Sequence, residues 1–228
     1  ETLLKLPHNG VMDTTALTIA VQKRMPLYDK SQEAHYNLIS ALHKSLRGSD
    51  ADGALYWFAR MISGGDDPNY IARRLLRFSV EDIGLADPQA LVQAVNAWQA
   101  YERLGAPEGE LALVQCIIYL ATAPKSNAAY LAEKNSRKLA NETGSLFPPK
   151  HILNAPTKVM KELGYGKGYF YDHDEKDGFS GQNFFPDDLE RQTFYRPQKR
   201  GFEREILKRL DYWNKLRYQK SKKGEDDQ

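Results

Sequence analysis

Apolar positions along the first two-thirds of the chain recur at three- and four-residue spacing, the period of one helix face. In "HYNLISALHKSLRGSD" that face is Tyr36, Ile39, Leu42, His43 and Leu46, and the helix is expected to end near Gly48, which can take the left-handed conformation at C′. Asp50 or Asp52 then caps a second helix, "ALYWFARMISGG", with Leu55, Phe58, Met61 and Ile62 on its apolar side and Gly64–Gly65 as its stop. Asp67 and Pro68 open a third, "NYIARRLLRFSVEDIG", which Gly84 should end. Its Ile71, Leu75 and Phe78 fall within about 60° on a helical wheel, and Arg73, Arg74 and Arg77 cluster on the far side. Asp87–Pro88 start a fourth helix and Pro107 a fifth. Pro124 closes that fifth helix, and "SNAAYLAEKNSRKLANET" makes a sixth. Short joints between six helices predict antiparallel neighbours in a bundle or compact collar.

The pattern changes after about residue 143. "GSLFPPKHILNAP" holds three prolines and cannot sustain a long helix. "TKVMKELGYG" predicts a short helix. The stretch "GYGKGYFYDHDEKDGFSGQNFFP", residues 164–186, mixes glycines, acids and aromatics. Tyr165, Tyr169, Phe170, Tyr171, Phe179, Phe184 and Phe185 are many aromatics for a free loop. They are expected to anchor an irregular segment, with a short hairpin, across the helices, the glycines supplying positive φ. A final helix from Gly201 carries Phe202, Ile206, Leu207, Leu210, Trp213 and Leu216 on one side. The tail 221–228 is charged and expected to be disordered. The fold class is therefore mainly α: a helical collar, an irregular Gly- and aromatic-rich segment, and a closing helix.

Composition narrows the function. A chain of 228 residues with 41% hydrophobic and 27% charged residues is ordinary for a globular protein. A net charge of +2 gives no whole-molecule case for nucleic acid, so any basic surface must be local. The single cysteine, Cys116, excludes an internal disulfide and a multi-cysteine zinc site. It lies in "LALVQCIIYLATA", which is shorter than the roughly 20 residues a membrane span needs and so reads as a core helix. With no signal peptide, a reducing cytoplasm is expected. The chain opens without methionine, so it is expected to be a piece of a longer protein.

Candidate chemistry in residues 164–186 does not hold together. A phosphate loop needs G-x-x-x-x-G-K-[S/T]. Here Gly166–Lys167 is followed by Gly168, and the position five before Gly166 is Lys161. A dinucleotide G-x-G-x-x-G fails at Tyr169. A calcium loop could use Asp172 and Asp174, but Lys176 stands at the third ligand position and Gly178 arrives one place late. His173 could join those acids on a metal; solvation is the simpler expectation. His35 and His43 lie too far apart on one helix to act as a ligand pair, and each is expected at the core edge or surface. Ser31, Ser40, Ser63 and Ser79 lie in no nucleophile turn. Catalytic, cofactor-binding and metal-binding residues are accordingly expected to be none, and packing is the favoured role for this stretch.

Two basic features remain. Arg73, Arg74 and Arg77 form either a solvated face, a subunit interface or phosphate contacts, with Glu81 placed to pair with Arg77 at i,i+4. The second feature runs from Arg196 through Lys199, Arg200, Arg204, Lys208, Arg209, Lys215, Arg217 and Lys220 to Lys222 and Lys223. Interleaved with Phe202, Tyr212, Trp213 and Tyr218, it could track single-stranded nucleic acid by charge and stacking. Lys199, Arg200, Arg204 and Lys208 are the candidate DNA contacts.

Residues 28 to 91, together with "APKSNAAY" and the stretch at 164–186, resemble the region C-terminal to the ATPase core in the replication-associated recombination protein A (RarA, MgsA) family of AAA+ ATPases. The resemblance covers nearly the whole chain. It implies that residues 1–27 end the AAA+ lid and that 28–150 form a clamp-loader-like oligomerisation collar. Residues 151–220 would pack on that collar. It further implies a homotetramer, and an upstream ATPase domain that would hold ATP and magnesium. It also implies DNA and single-stranded-DNA-binding protein as partners, with action at replication forks in recombination and repair near the nucleoid. Three functions compete: an assembly module of such an ATPase, a nucleic-acid-binding module using the basic final helix, and a stand-alone enzyme using residues 164–186.

Overall fold

The computed structural model describes residues 32–175 and 177–226; the expected lid end, 1–27, lies outside the described residues. The chain is helical, with no strand among the described residues. Six helices come first: α1 (Gln32–Arg47), α2 (Ala51–Gly64), α3 (Pro68–Phe78), α4 (Gln89–Leu104), α5 (Glu110–Thr122) and α6 (Ala128–Thr143). A short α7 (Lys158–Glu162) and a long α8 (Glu203–Asp226) follow. Two compact units emerge. One comprises the described residues up to Leu75 with Ala94–Thr122, the other Leu76–Gln93 with Ala123 onward.

The first unit closes on the faces that periodicity marks. Ile39, Leu42 and Leu46 of α1, Phe58 and Met61 of α2, Ile71 and Leu75 of α3, and Leu113, Ile117 and Leu120 of α5 are buried together. Each such side chain contributes about 1.5–3 kcal/mol by leaving water. Local chemistry sets the helix starts. Asp50 Oδ1 accepts the Gly53 N–H at 2.8 Å, and Asp67 Oδ1 accepts the Asn69 N–H at 2.9 Å. Three expectations change. Tyr36 is 70% exposed while His43 is buried in the core. The left-handed residue after α1 is Ser49 (φ 58), not Gly48. The Asp50 N–H donates to Ser45 O and the Ser49 N–H to Leu46 O, the bond pair of a Schellman motif one residue later than expected. Pro107 stands in the turn before α5, which starts at Glu110. Gly109 is required in that turn, because an added Cβ would lie 2.8 Å from Tyr101 Cα.

In the second unit the α-helical hydrogen bonding of α3 stops at Phe78, earlier than the glycine stop at Gly84 suggests. A π-helical turn (Ser79–Ile83) and a 3-10 turn (Gly84–Ala86) follow, and the Ser79 hydroxyl donates to Leu76 O at 2.8 Å. The extra residue of the π turn brings Asp82 O to the Ser126 N–H at 2.8 Å, seating α6 against both turns.

The irregular segment is held by side chains standing in for a β-ladder. Gln182 Oε1 accepts the Phe170 N–H at 3.0 Å, and its Nε2 donates to Gly168 O at 2.7 Å. Asp172 Oδ1 accepts the Ser180 N–H at 2.7 Å. There is no hairpin among the described residues, and the aromatic anchoring is partial. Phe179 packs on Trp213 at 5.0 Å and Phe185 on Phe194 at 6.2 Å, while Tyr169, Phe170, Tyr171 and Phe184 are exposed. Polar closure of the loop makes their burial unnecessary. The Ser180 backbone N–H, then its hydroxyl, hold the Asp172 carboxyl below the usual carboxylate range.

The start of α8 is fixed by a carboxylate that no local pattern marks. Glu203 is wholly buried and accepts the Tyr195 O–H at 2.8 Å and the Gln198 N–H at 2.7 Å. Burial, and then the neighbouring carboxylate, push the Tyr195 phenol well above its ordinary value. At Gly201 (φ +48) an added Cβ would stand 2.0 Å from Ala86 O, which accepts the Phe202 N–H at 2.8 Å. The helix continues to Asp226, into the stretch expected to be disordered.

Two outcomes follow from these contacts. Glu203→Ala leaves two part-buried donors without their acceptor and should cost about 2 kcal/mol in urea unfolding; a loss under about 0.5 kcal/mol would show that the carboxylate does not hold the helix start. Because folding depresses the Asp172 pKa, its contribution is complete above about pH 4 and fades as pH falls through the lower folded value. Protection of the Ser180 amide from hydrogen exchange should decline over that acid range and lose its pH dependence in Asp172→Asn.

Candidate nucleic-acid and subunit interfaces

The arginines of α3 do not share one environment. Arg73 is exposed, its guanidinium 5.4 Å from the Tyr70 ring centroid. Arg77 pairs with Glu81 at 2.6 Å, the i,i+4 bond expected from spacing. Arg74 is half-buried, and its Nε is shielded without a hydrogen-bond partner. It lies 100° round the helix from Arg73, so the expected three-arginine face is a pair of exposed arginines with a third turned inward. Arg77 and Glu81 line one side of a groove of about 450 Å³, with Ala129, Tyr130 and Glu133 on the other.

The four candidate DNA contacts are all exposed near the start of α8, yet they are not equally available. Lys208 is bound to Glu205 at 2.7 Å. Arg200 Nη1 donates to Lys125 O at 3.4 Å, and Arg204 Nε to Lys199 O at 3.1 Å. Among the described residues neither Lys199, Arg200 nor Arg204 has a carboxylate partner, so their charge is open to a ligand. Arg209 lies 5.5 Å from the Phe202 ring centroid, and Phe202 is exposed where sequence periodicity placed it on the packing face.

Helix α5 is apolar nearly all round. One side buries Leu113, Cys116, Ile117 and Leu120; the other presents Leu111, 72% exposed, and Ile118, 43% exposed, two turns apart. Burial pushes the Cys116 thiol up to about 12, so it stays protonated and unreactive at neutral pH. These exposed apolar residues of α5 are a feature that sequence reading missed. The signal was present in "LALVQCIIYLATA": a helix apolar on every side needs cover on every side.

Within residues 164–186 two acids are already engaged. Asp172 is occupied by Ser180, and Glu175 by Lys220 at 2.6 Å. Among the described residues no three His, Cys, Asp or Glu side chains gather as a metal cluster, and no helix is long and apolar enough to cross a membrane.

Comparison with known proteins now places the chain. A family model described as MgsA AAA+ ATPase C terminal matches residues 48–214, and one described as AAA C-terminal domain matches residues 2–47. The two matched ranges meet at the end of α1. Replication-associated recombination protein A of Coxiella burnetii is 48% identical over 217 residues, covering 94% of this chain and 49% of that protein. Its namesake from Escherichia coli K12 is 46% identical over 201 residues, covering 88% and 45%. ATPase WRNIP1 of Dictyostelium discoideum is 43% identical over 177 residues, covering 77% and 20%. The chain spans about half the length of the bacterial relatives. With a model matched across α2 to α7 and the first half of α8, and identity near one half along most of its length, this chain belongs to the MgsA AAA+ ATPase C-terminal family.

Proposed function

We propose that this chain is the homotetramer-forming module of a DNA-dependent AAA+ ATPase that acts in replication-fork maintenance, recombination and repair. Catalysis is assigned to the remainder of the parent protein, where ATP and magnesium would bind; this part supplies assembly. The observation that carries the reading is α5, with Leu111 and Ile118 exposed on a helix whose opposite side is core. Apolar side chains left in water are costly, and a second copy covering them recovers about 25 cal/mol for each Å² removed from water. Relatives named replication-associated recombination protein A support this reading; the whole protein would then act at replicating DNA near the nucleoid, with single-stranded-DNA-binding protein as a further partner.

A second reading, DNA contact through the start of α8, is favoured by Lys199, Arg200 and Arg204, exposed and without carboxylate partners among the described residues. The two functions are compatible, because the apolar side of α5 and the basic side of α8 make different demands on a ligand.

Light scattering across a range of concentrations tests assembly. The expected species has about four times the chain mass of 26.0 kDa, and Leu111→Glu with Ile118→Glu should reduce it to monomer while leaving helicity intact. An unsubstituted chain that is monomeric throughout rejects the assembly role; a tetramer that survives both substitutions moves the interface off α5.

A further inference from the structure

A groove of about 410 Å³ runs between the extended segment 191–197 and the middle of α8. Arg191 and Arg196 of the segment and Asp211 and Asn214 of α8 line it, together with Phe194 and Leu210. Asn214 Oδ1 accepts a hydrogen bond from Arg217 Nη1 at 3.1 Å, which ties a third guanidinium to the groove wall.

These guanidiniums are held in place but not neutralised. Arg217 lies 5.1 Å from the Phe179 ring centroid and Arg191 5.7 Å from that of Phe185, so aromatic faces fix both orientations. Among the described residues, Arg191, Arg196 and Arg217 have no carboxylate within salt-bridge distance. Arg217 is half-buried, and its Nε is shielded without a partner. Burial and then the positive charge of Arg191 lower the Arg217 pKa, the reverse of what a structural ion pair does. Asp211 is the one acid on the groove wall, leaving a net positive charge there. Oriented, uncompensated guanidiniums present forked N–H donors in the geometry phosphate oxygens accept.

We propose that this groove is a phosphate-binding subsite, with Arg191 and Arg196 contacting the phosphate and Arg217 orienting the wall through Asn214. The phosphate belongs either to the backbone of a nucleic-acid strand, the source that rests on the DNA reading above, or to a free phosphorylated small molecule. It is distinct from the Lys199–Lys208 cluster, so each can fail without the other.

The test uses the 228-residue chain and a labelled oligothymidylate strand, read by anisotropy over a salt series. Arg191 and Arg196 are exposed, so Arg191→Gln and Arg196→Gln should fold normally. Each is expected to weaken binding about tenfold and to reduce the salt slope by about 0.7. Asp211→Asn should strengthen binding about threefold, an effect that misfolding cannot imitate. Unchanged affinity in both arginine variants, or weaker binding in Asp211→Asn, overturns the inference. If Lys199→Glu with Arg204→Glu abolishes strand binding while the groove variants keep it, the DNA reading stands and the groove is wrong. If the parent ignores the strand, titration with inorganic phosphate followed at the Asn214 side-chain amide decides. A response lost in Arg191→Gln keeps the subsite with a free phosphate as ligand, and no response rejects it.

Discussion

The buried carboxylate of Glu203 governs how the second half of this chain is arranged. It receives the Tyr195 hydroxyl and the Gln198 amide, tying an extended segment without regular hydrogen bonding to the first turn of the longest helix. A carboxylate in that turn also meets the positive end of the helix dipole. Gly201 completes the joint by letting the backbone approach Ala86 O more closely than any side chain permits. From this one anchor α8 projects its basic residues, and segment 191–197 is held beside α8 to form the arginine-lined groove. Loss of the anchor would scatter both features.

The first unit follows a different logic. Its helices carry conventional cores and caps, and its unusual property is surplus: α5 has more apolar surface than the described residues of its unit cover. A soluble monomer seldom keeps such a face in water, which is why α5, rather than the arginines of α3, carries the assembly proposal. Arg77 is already satisfied by Glu81 and Arg73 rests on Tyr70, whereas Leu111 and Ile118 gain nothing from solvent.

Charge is distributed by the same contrast between satisfied and unsatisfied groups. Lys208 and Lys220 are tied to Glu205 and Glu175, so the basic run that looks uniform along α8 is partly neutralised. Among the described residues, those without a carboxylate partner include Lys199, Arg200 and Arg204 near the start of α8 and Arg191, Arg196 and Arg217 around the groove. A small net charge for the whole chain is therefore no guide to its local fields.

The amino-acid sequence by itself determined the helices, most of their starts and the faces they bury, because caps and period are local. Asp50, Asp67 and Pro68 act within a few residues, and Leu42, Met61 and Leu75 lie where a helix wheel puts them. Family resemblance was legible too, in long matched runs such as "YIARRLLRFSVEDIGLADPQ". Tertiary structure alone decided the rest. Periodicity shows which residues share a face, not whether anything covers it; hence Tyr36 is exposed, Arg74 turns inward and α5 keeps an open side. Glu203 reads as a surface glutamate until Tyr195 and Gln198 fold onto it, and Arg217 reads as a solvated cation until Phe179 and Arg191 close round it. Such groups get their character from partners supplied by other segments, and no local pattern encodes that pairing.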